Sequence, residues 1–536
     1  MVQLASPVSR ALTRPWRRAF GAPQDEAERG GRFHPNASSP SGPALFDNDH
    51  DTIFAPASGA GRAAIAVLRI SGPGCSEALE AIAPGAGFPD RHAVLRTLRH
   101  PQSREPLDRA LITRFQAPRS FTGEETAEIS VTGGRAVTAA VVRALALVPG
   151  LRPAEPGEFA WRAFMNGKID LSEVEGLADL VEAETEAQRQ QAQRIAGGAL
   201  SRECEAIRTS LLEAMAAVET QIDFTDVEDA SDFTLESVKG AARGAIERID
   251  RALATADSAA RLREGFTVVI AGPPNVGKST LMNALAGRDV AITSPIPGTT
   301  RDLIEVFLDL RGYPVILVDT AGIRESHDPI EREGVARARR RAESADLTLW
   351  LDDGGESPAP SLKLPIVLVR TKIDLSGQSA LAEDRLTPLA PPPPLARRET
   401  GVLPNALWRG RDGVGGPTAA SSNDVLEPGV PDVASAKLAI SAKTGAGVDR
   451  LLDVIADLAE ERMSSREPAL LTLERHRRGF QDARQALSSA LAPEAAEPEL
   501  IAEDLRRAAL AMDQIVGRIG VEDVLGEIFA RLCVGK

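Results

Sequence analysis

A lysine, a serine and a threonine directly after a glycine, with a second glycine a few positions upstream, are groups suited to holding a chain of phosphates. The stretch Gly272-Pro273-Pro274-Asn275-Val276-Gly277-Lys278-Ser279-Thr280 has this arrangement. It follows the apolar, β-branched run Phe266 to Ile270 and leads into the helix-patterned Leu281 to Gly287. Gly272 and Gly277 let backbone N–H groups turn inward, and the helix start adds a positive dipole end. Lys278 can then reach the outer phosphates while the Ser279 hydroxyl ligates Mg²⁺. A triphosphate is the natural guest.

Later stations fit a guanine nucleotide. The carboxylate of Asp374, in Thr371-Lys372-Ile373-Asp374, can accept from both N1–H and the exocyclic amine of guanine. Adenine cannot satisfy it, and a buried carboxylate left unpaired is costly. That opposes an ATPase. Lys372 can lie along the base plane, and the backbone N–H of Ala442, in Ser441-Ala442-Lys443, can meet the guanine oxygen. Thr300, in Pro297-Gly298-Thr299-Thr300-Arg301-Asp302, is placed to ligate Mg²⁺ beside a γ-phosphate. Asp319, in Asp319-Thr320-Ala321-Gly322, can hold that ion through water, and Gly322 can offer its N–H to the γ-phosphate. No glutamine follows Gly322, and two candidates for acting on the attacking water are Glu331, directly or through a second water, and Arg324 as a nearby charge; on pattern alone Glu331 suits an exposed helix position equally. Asn275 adds an oxygen close to the β- and γ-phosphates and can coordinate a monovalent cation that does an arginine's electrostatic work. The nucleotide site expected from these residues is therefore Asn275, Val276, Gly277, Lys278, Ser279 and Thr280, then Pro297, Gly298, Thr299 and Thr300, then Asp319, Thr320, Ala321 and Gly322, then Thr371, Lys372 and Asp374, and finally Ser441, Ala442 and Lys443.

These stations must be carried by strands. Val306 to Leu310, Val315 to Val318, Leu347 to Leu351, Ile366 to Val369 and Leu438 to Ile440 read as strands, and several motifs sit just past a strand's C-terminal end. A doubly wound, mostly parallel α/β sheet binds its ligand there. Residues 263–454 are assigned to this GTPase domain, with a low-complexity insertion over 376–434 that holds Pro391 to Pro394 and Gly413 to Gly416. On either side the texture is helical. Leu171 to Gly197, Leu200 to Ile222 and Glu236 to Ala260 read as long amphipathic helices, and Ile501 to Ile519 and Val521 to Leu532 follow near the other end. The nucleotide domain is thus expected inside one helical domain split into 166–262 and 455–536. Over 51–165, strands and helices interleave as an α+β module, with Ala63 to Ile70 a buried strand interrupted by the charge of Arg69.

Composition sets outer limits. The chain has 536 residues, 43% hydrophobic and 26% charged, which suits several globular domains. A formal net charge of −14 argues against a surface that is basic throughout, and 4% aromatics argue against base-stacking platforms. Cys75, Cys204 and Cys533 are odd in number and far apart, which opposes a disulfide framework or zinc site. No apolar run approaches a membrane span, so no membrane role is expected. Residues 1–50 read as a disordered extension. Arg10, Arg14, Arg17 and Arg18 precede the first acid, Asp25, which leaves a mitochondrial presequence as the alternative to a bacterial cytoplasm.

Asp51-Thr52-Ile53, Leu68-Arg69-Ile70-Ser71-Gly72-Pro73, Phe121-Thr122-Gly123-Glu124-Glu125, Pro156-Gly157-Glu158-Phe159, Arg162 to Leu171, Asn275 to Ser279, Gly298 to Asp302 and Cys533-Val534-Gly535-Lys536 together resemble the motifs of the MnmE (TrmE) family of tRNA modification GTPases. The resemblance implies a K⁺-activated, Mg²⁺-dependent homodimer. It implies work with a FAD-dependent partner, MnmG (GidA), in a heterotetramer that adds a carboxymethylaminomethyl or aminomethyl group to the wobble uridine of certain tRNAs. It also implies K⁺ ligands Asn275, Ser294, Ile296 and Thr299, Mg²⁺ ligands Ser279 and Thr300, and Glu331 as the catalytic carboxylate. A 5-formyltetrahydrofolate or related tetrahydrofolate site would use Arg69, Glu128, Lys168 and Lys536, and Cys533 would be the family's C-terminal cysteine. From the residues alone, Arg69 and Lys168 suit a carboxylate tail equally with a structural ion pair. Thr371 replaces the commoner asparagine, and its shorter reach implies a weaker tie to the phosphate loop. A ribosome-assembly GTPase switch is the competing reading, but it has no need of the N-terminal module.

Overall fold

The computed structural model of the chain describes residues 51–59, 61–223, 235–292, 305–319, 345–354, 365–376, 437–465, 467–492, 497–519, 528–529, 532 and 535. They fall into two compact units. One comprises residues 1–181, 193–250 and 475–536, and the other 182–192 and 251–474. The expected low-complexity insertion, the first 50 residues and most of the Val521 to Leu532 helix lie outside the described residues.

The first unit begins with a six-stranded sheet built from β1 (Thr52–Pro56), β2 (Ile65–Ser71), β3 (Ala93–Arg99), β4 (Pro106–Phe115), β5 (Thr126–Thr132) and β6 (Leu151–Pro153). Its order is β3-β4-β5-β2-β1-β6, antiparallel except where β6 runs parallel to β1. Helices α1 (Cys75–Ile82) and α2 (Arg135–Leu145) bury Leu79, Ile82, Val141 and Leu145 in one core with Phe54, Leu68, Ile70, Ile112 and Ile129. The expectation of a fully buried strand at Ala63 to Ile70 needs correction. β2 alternates, with Ala66, Leu68 and Ile70 inward and Ile65 61% exposed, because helices cover only one face of an antiparallel sheet. That alternation turns Arg69 to the open face. β1, β3 and β6 were not foreseen, being very short or broken by arginines at Arg96 and Arg99.

Beyond α3 (Glu158–Met165), the same unit is helical. It contains α4 (Leu171–Glu182), the end of α5 (Glu186–Ala196), α6 (Ala199–Asp223), most of α7 (Leu235–Ala254), α12 (Glu474–Ala490) and α13 (Pro498–Val516). The expected continuous helix Glu236 to Ala260 is interrupted by a single turn residue, Thr255, after which α8 (Ala256–Glu264) starts. Two segments on either side of a 300-residue separation meet at one buried carboxylate, Glu175. It accepts from the Arg475 guanidinium and lies 2.8 Å from Nε2 of His476, while Arg475 also donates to the Ile515 carbonyl at 2.9 Å.

In the second unit, β7 (Phe266–Ala271), β8 (Glu305–Leu310), β9 (Tyr313–Asp319), β10 (Leu347–Asp352), β11 (Ile366–Arg370) and β12 (Lys437–Ala439) form a sheet ordered β12-β11-β10-β7-β9-β8. Every pairing is parallel except β8 with β9. α9 (Lys278–Ala286) and α11 (Val448–Met463) pack on it, and α10 (Ile373–Ser376) follows β11. The boundary expected at 454 falls inside α11. Leu451 and Leu452 share one core with Ile455, Ala456, Ala459 and Met463, so the helix is a single element of this sheet's core. The fold class is as expected: a P-loop α/β GTPase domain set into a helical domain and preceded by an α+β module. Among the described residues, no helix is long and apolar enough to cross a membrane.

Burial alone pushes the Glu175 carboxyl up, but hydrogen bonds and charge from His476 and Arg475 outweigh it and hold the pKa below the ordinary value. A depressed carboxylate contributes stability above its unfolded pKa and loses it as pH falls through the folded one. Glu175→Gln is expected to cost about 3–5 kcal/mol at neutral pH by taking from the half-buried Arg475 guanidinium its carboxylate partner. It should also remove part of the stability lost on acidification, as thermal unfolding across an acid pH series would show.

Candidate functional site

β7 is buried along its whole length between β9 and β10, and the chain can leave it only through a tight turn. At Gly272 φ is +149°, and a Cβ there would stand 2.4 Å from the Leu351 carbonyl oxygen, so no larger residue fits. Asn275 and Gly277 also take positive φ, +62° and +107°, and Gly277 caps α9. These three left-handed positions wrap the backbone round the N-terminus of a nine-residue helix, the geometry that gathers N–H groups about an anion. Lys278 folds across the loop, its Nζ donating to the carbonyls of Gly272 and Pro273 at 2.9 Å each. Burial lowers its pKa, and the charge of Asp319 opposes that.

The Ser279 hydroxyl lies 3.3 Å from Oδ2 of Asp319, which is buried at the tip of β9. A hydroxyl and a carboxylate side by side suit Mg²⁺, which takes few protein ligands and completes its shell with phosphate oxygens and water. No cluster of three or more His, Cys, Asp or Glu side chains suited to a metal occurs among the described residues. Such a cluster would suit a wholly protein-caged ion, which this loop does not need.

The base end is assembled by strand pairing. β11 and β12 run parallel with Arg370 opposite Ala439, which brings Thr371, Lys372 and Asp374 beside Ser441, Ala442 and Lys443. The Ile440 N–H donates to the Arg370 carbonyl at 2.7 Å, and the Ile373 N–H to the Ile440 carbonyl at 3.4 Å. The tie expected to be weakened at Thr371 is fully made. Its buried hydroxyl donates to the Val276 carbonyl in the phosphate loop at 2.7 Å. Reach is no handicap because the Thr371 N–H, bonded to the Asp352 carbonyl at 2.7 Å, seats the residue against that loop. Lys372 takes φ +59° and pairs with Asp353 at 2.9 Å. Asp374 is exposed, so discrimination through a buried carboxylate requires the base itself to cover it. Val276 is buried and Thr280 exposed on α9. Ser294, Pro295, Ile296, Pro297, Gly298, Thr299, Thr300, Thr320, Ala321, Gly322, Arg324 and Glu331 lie outside the described residues, as do Cys533 and Lys536.

A second site lies on the open face of the N-terminal sheet. Register places Arg69 opposite Glu128 across β2 and β5, and the two pair at 2.9 Å. The Arg69 guanidinium also stands over the rings of Phe121 and Phe159 at 5.2 and 5.7 Å. Arg69, Glu128 and Lys168 line one cavity of about 390 Å³, within the range that takes a drug-sized ligand. The Gly535 carbonyl lies 3.5 Å from Nη1 of Arg69, so the chain just before Lys536 reaches this wall. Lys168 donates to the Pro118 carbonyl at 2.8 Å. Sequence reasoning missed Arg91, Phe115 and Arg119 on the same cavity. It also left the motif residues Glu124, Glu158 and Arg162 without a role. They form a buried network in which Arg162 reaches Asp51 at 2.8 Å, Glu158 at 3.1 Å and Glu124 at 3.2 Å, fixing β1, α3 and the loop before β5 beneath the cavity. Cys75 and Cys204 are buried free thiols whose pKa burial drives upward, so neither is a reactive group.

Thr371→Val is expected to remove the tie to Val276 and leave a buried carbonyl unpaired, at about 1–3 kcal/mol. Calorimetric titration should show guanine nucleotide binding weakened by roughly fivefold or more, with the sheet still folded.

Residues 52–168 match the family of the GTP-binding protein TrmE N-terminus, and residues 171–533 match the MnmE helical domain family. A tRNA modification GTPase MnmE from Methylobacterium sp. (strain 4-46) is 48% identical over 493 residues, covering 91% of this chain and 100% of that protein. The protein of the same description from Methylorubrum populi is 46% identical over 490 residues, with 91% and 98% covered. Among solved structures, the G domain of the T. maritima FeoB iron transporter is 22% identical over 36% of this chain and 98% of that chain, at a TM-score of 0.19 that is too low to bear on the fold.

Proposed function

Because the chain belongs to the MnmE family of tRNA modification GTPases, we propose that it couples GTP hydrolysis to the addition of a carboxymethylaminomethyl or aminomethyl group to the wobble uridine of certain tRNAs. It works as a homodimer with the FAD-dependent protein MnmG, in the cytoplasm of a bacterium like those of its relatives. The observation that carries this reading is the separation of labour within one chain. A nucleotide loop lies at the tips of a parallel sheet, and a basic, aromatic-lined cavity lies on the face of an antiparallel one. A ribosome-assembly switch has no use for the second.

At the nucleotide, Lys278 and the N–H groups of the loop hold the phosphates, while Ser279 and Asp319 orient Mg²⁺, with Thr300 completing the protein ligands. Asn275, Ser294, Ile296 and Thr299 hold K⁺, whose charge offsets that developing on the phosphates. Glu331 positions the attacking water, with Arg324 nearby. Asp374 reads the base and Thr371 holds the base loop to the phosphate loop. At the cavity, Arg69, Glu128 and Lys168, joined by Lys536, hold a tetrahydrofolate derivative that supplies the one-carbon unit. A cavity with two ring faces, a carboxylate and several cations suits a flat, hydrogen-bonding ring system that ends in carboxylates.

Mass spectrometry of tRNA nucleosides from a deletion strain should show loss of the modified wobble uridine, and an intact level would refute the reading. Asp374→Asn should lower GTP affinity at least tenfold and raise that for xanthosine triphosphate. Two charge-assisted hydrogen bonds of about 1.5–3 kcal/mol each are lost with guanine, and the new amide can donate to the xanthine oxygen.

A further inference from the structure

We propose that the outer rim of the N-terminal cavity is a polyanion subsite that selects γ-linked polyglutamate forms of the folate over the monoglutamate. This rests on the folate reading above and deepens it. Four of the nine lining side chains are cationic, Arg69, Arg91, Arg119 and Lys168, against a single acid, Glu128. That acid is spent on Arg69 at the inner, half-buried end. Among the described residues, neither Arg91 nor Lys168 has a carboxylate partner. Arg91 donates to the Arg119 carbonyl and stands over Phe115 at 5.4 Å, and Lys168 donates to the Pro118 carbonyl. Arg91, Arg119 and Lys168 are all exposed at the mouth, so a chain emerging from the inner end passes between them.

The rim is held in shape. Asp90 accepts from the Gln116 N–H at 2.8 Å and from Nη2 of Arg119 at 2.9 Å, and the Arg91 N–H donates to the Arg114 carbonyl at 2.8 Å. The turn that carries Arg91 is thereby stapled to the loop that carries Arg119. One carboxylate occupies at most part of such a rim. A row of them, regularly spaced along a flexible peptide, can meet all three cations, and each exposed pair adds a small, salt-sensitive increment.

The test is calorimetric titration of the full chain with 5-formyltetrahydrofolate monoglutamate and pentaglutamate, at low and high salt. The pentaglutamate is expected to bind roughly tenfold more tightly at low salt, the sum of a few such increments, with the advantage shrinking in high salt. The double variant Arg91→Ala, Arg119→Ala should lose that advantage, and Arg91→Lys, Arg119→Lys should keep most of it. Equal affinity for the two forms, or an advantage that survives in the alanine variant, overturns the inference while leaving the folate reading intact. Binding of neither form overturns both.

Discussion

A domain interrupted by another must be closed again by contacts between its two halves: here α6 packs along α13, and Glu175 ties α4 to the start of α12. The carboxylate sits on α4, ahead of the nucleotide domain, while Arg475 and His476 begin α12, behind it. The Glu175 carboxylate is buried and Arg475 half-buried, so the tie depends on hydrogen-bond geometry as well as on charge. Arg475 extends the tie to the last turn of α13 through the Ile515 carbonyl, so one guanidinium gathers three helices. Helix propensity gives helices and not their pairing, so contacts of this kind, with the packing of α6 along α13, join the two halves of the scaffold.

The two sites use strands in opposite ways. In the parallel sheet the side chains are buried and the polar groups lie at the strand tips, where the backbone turns at Gly272 and Gly277. In the antiparallel sheet one face is free, so chemistry sits on the strands themselves. Arg69 and Glu128 face each other because both point away from α1 and α2. The first arrangement depends on backbone conformation and tolerates few residues at the turn. The second depends on alternation, and a one-residue slip would bury the arginine.

Legibility followed the same division. The phosphate loop could be read because nine consecutive residues contain nearly all of it, and Asp374 and Ala442 because each lies within a few residues of a strand's end. Arg69 could be singled out as a charge in an apolar run, but its partner came from resemblance and not from pattern. Arg91 and Arg119 could not be found, because the cavity joins them to β2, β5 and Lys168 through tertiary pairing that leaves no periodic trace. α11 shows why the edge of the nucleotide domain was misplaced. Its stripe of Leu451, Ile455 and Ala459 is that of any amphipathic helix, and only the sheet it lies on assigns it. That Thr371 reaches the phosphate loop at all was harder to read, since reach was reckoned from the side chain while the backbone bond to Asp352 seats the residue.

The approach of the Gly535 carbonyl to Arg69 has a bearing on the order of events during synthesis. These residues are 466 positions apart, so at 5–20 residues per second the ribosome delivers the second roughly half a minute to a minute and a half after the first. For most of that interval the nascent N-terminal sheet has its strands and every residue that lines its cavity, but lacks the Gly535 carbonyl beside Arg69. Gly157 must likewise wait for the Phe529 backbone, which leaves no room for even a methyl group between them. A newly made chain therefore holds the lining of its cavity, and then its phosphate loop, well before its last residues can meet Arg69.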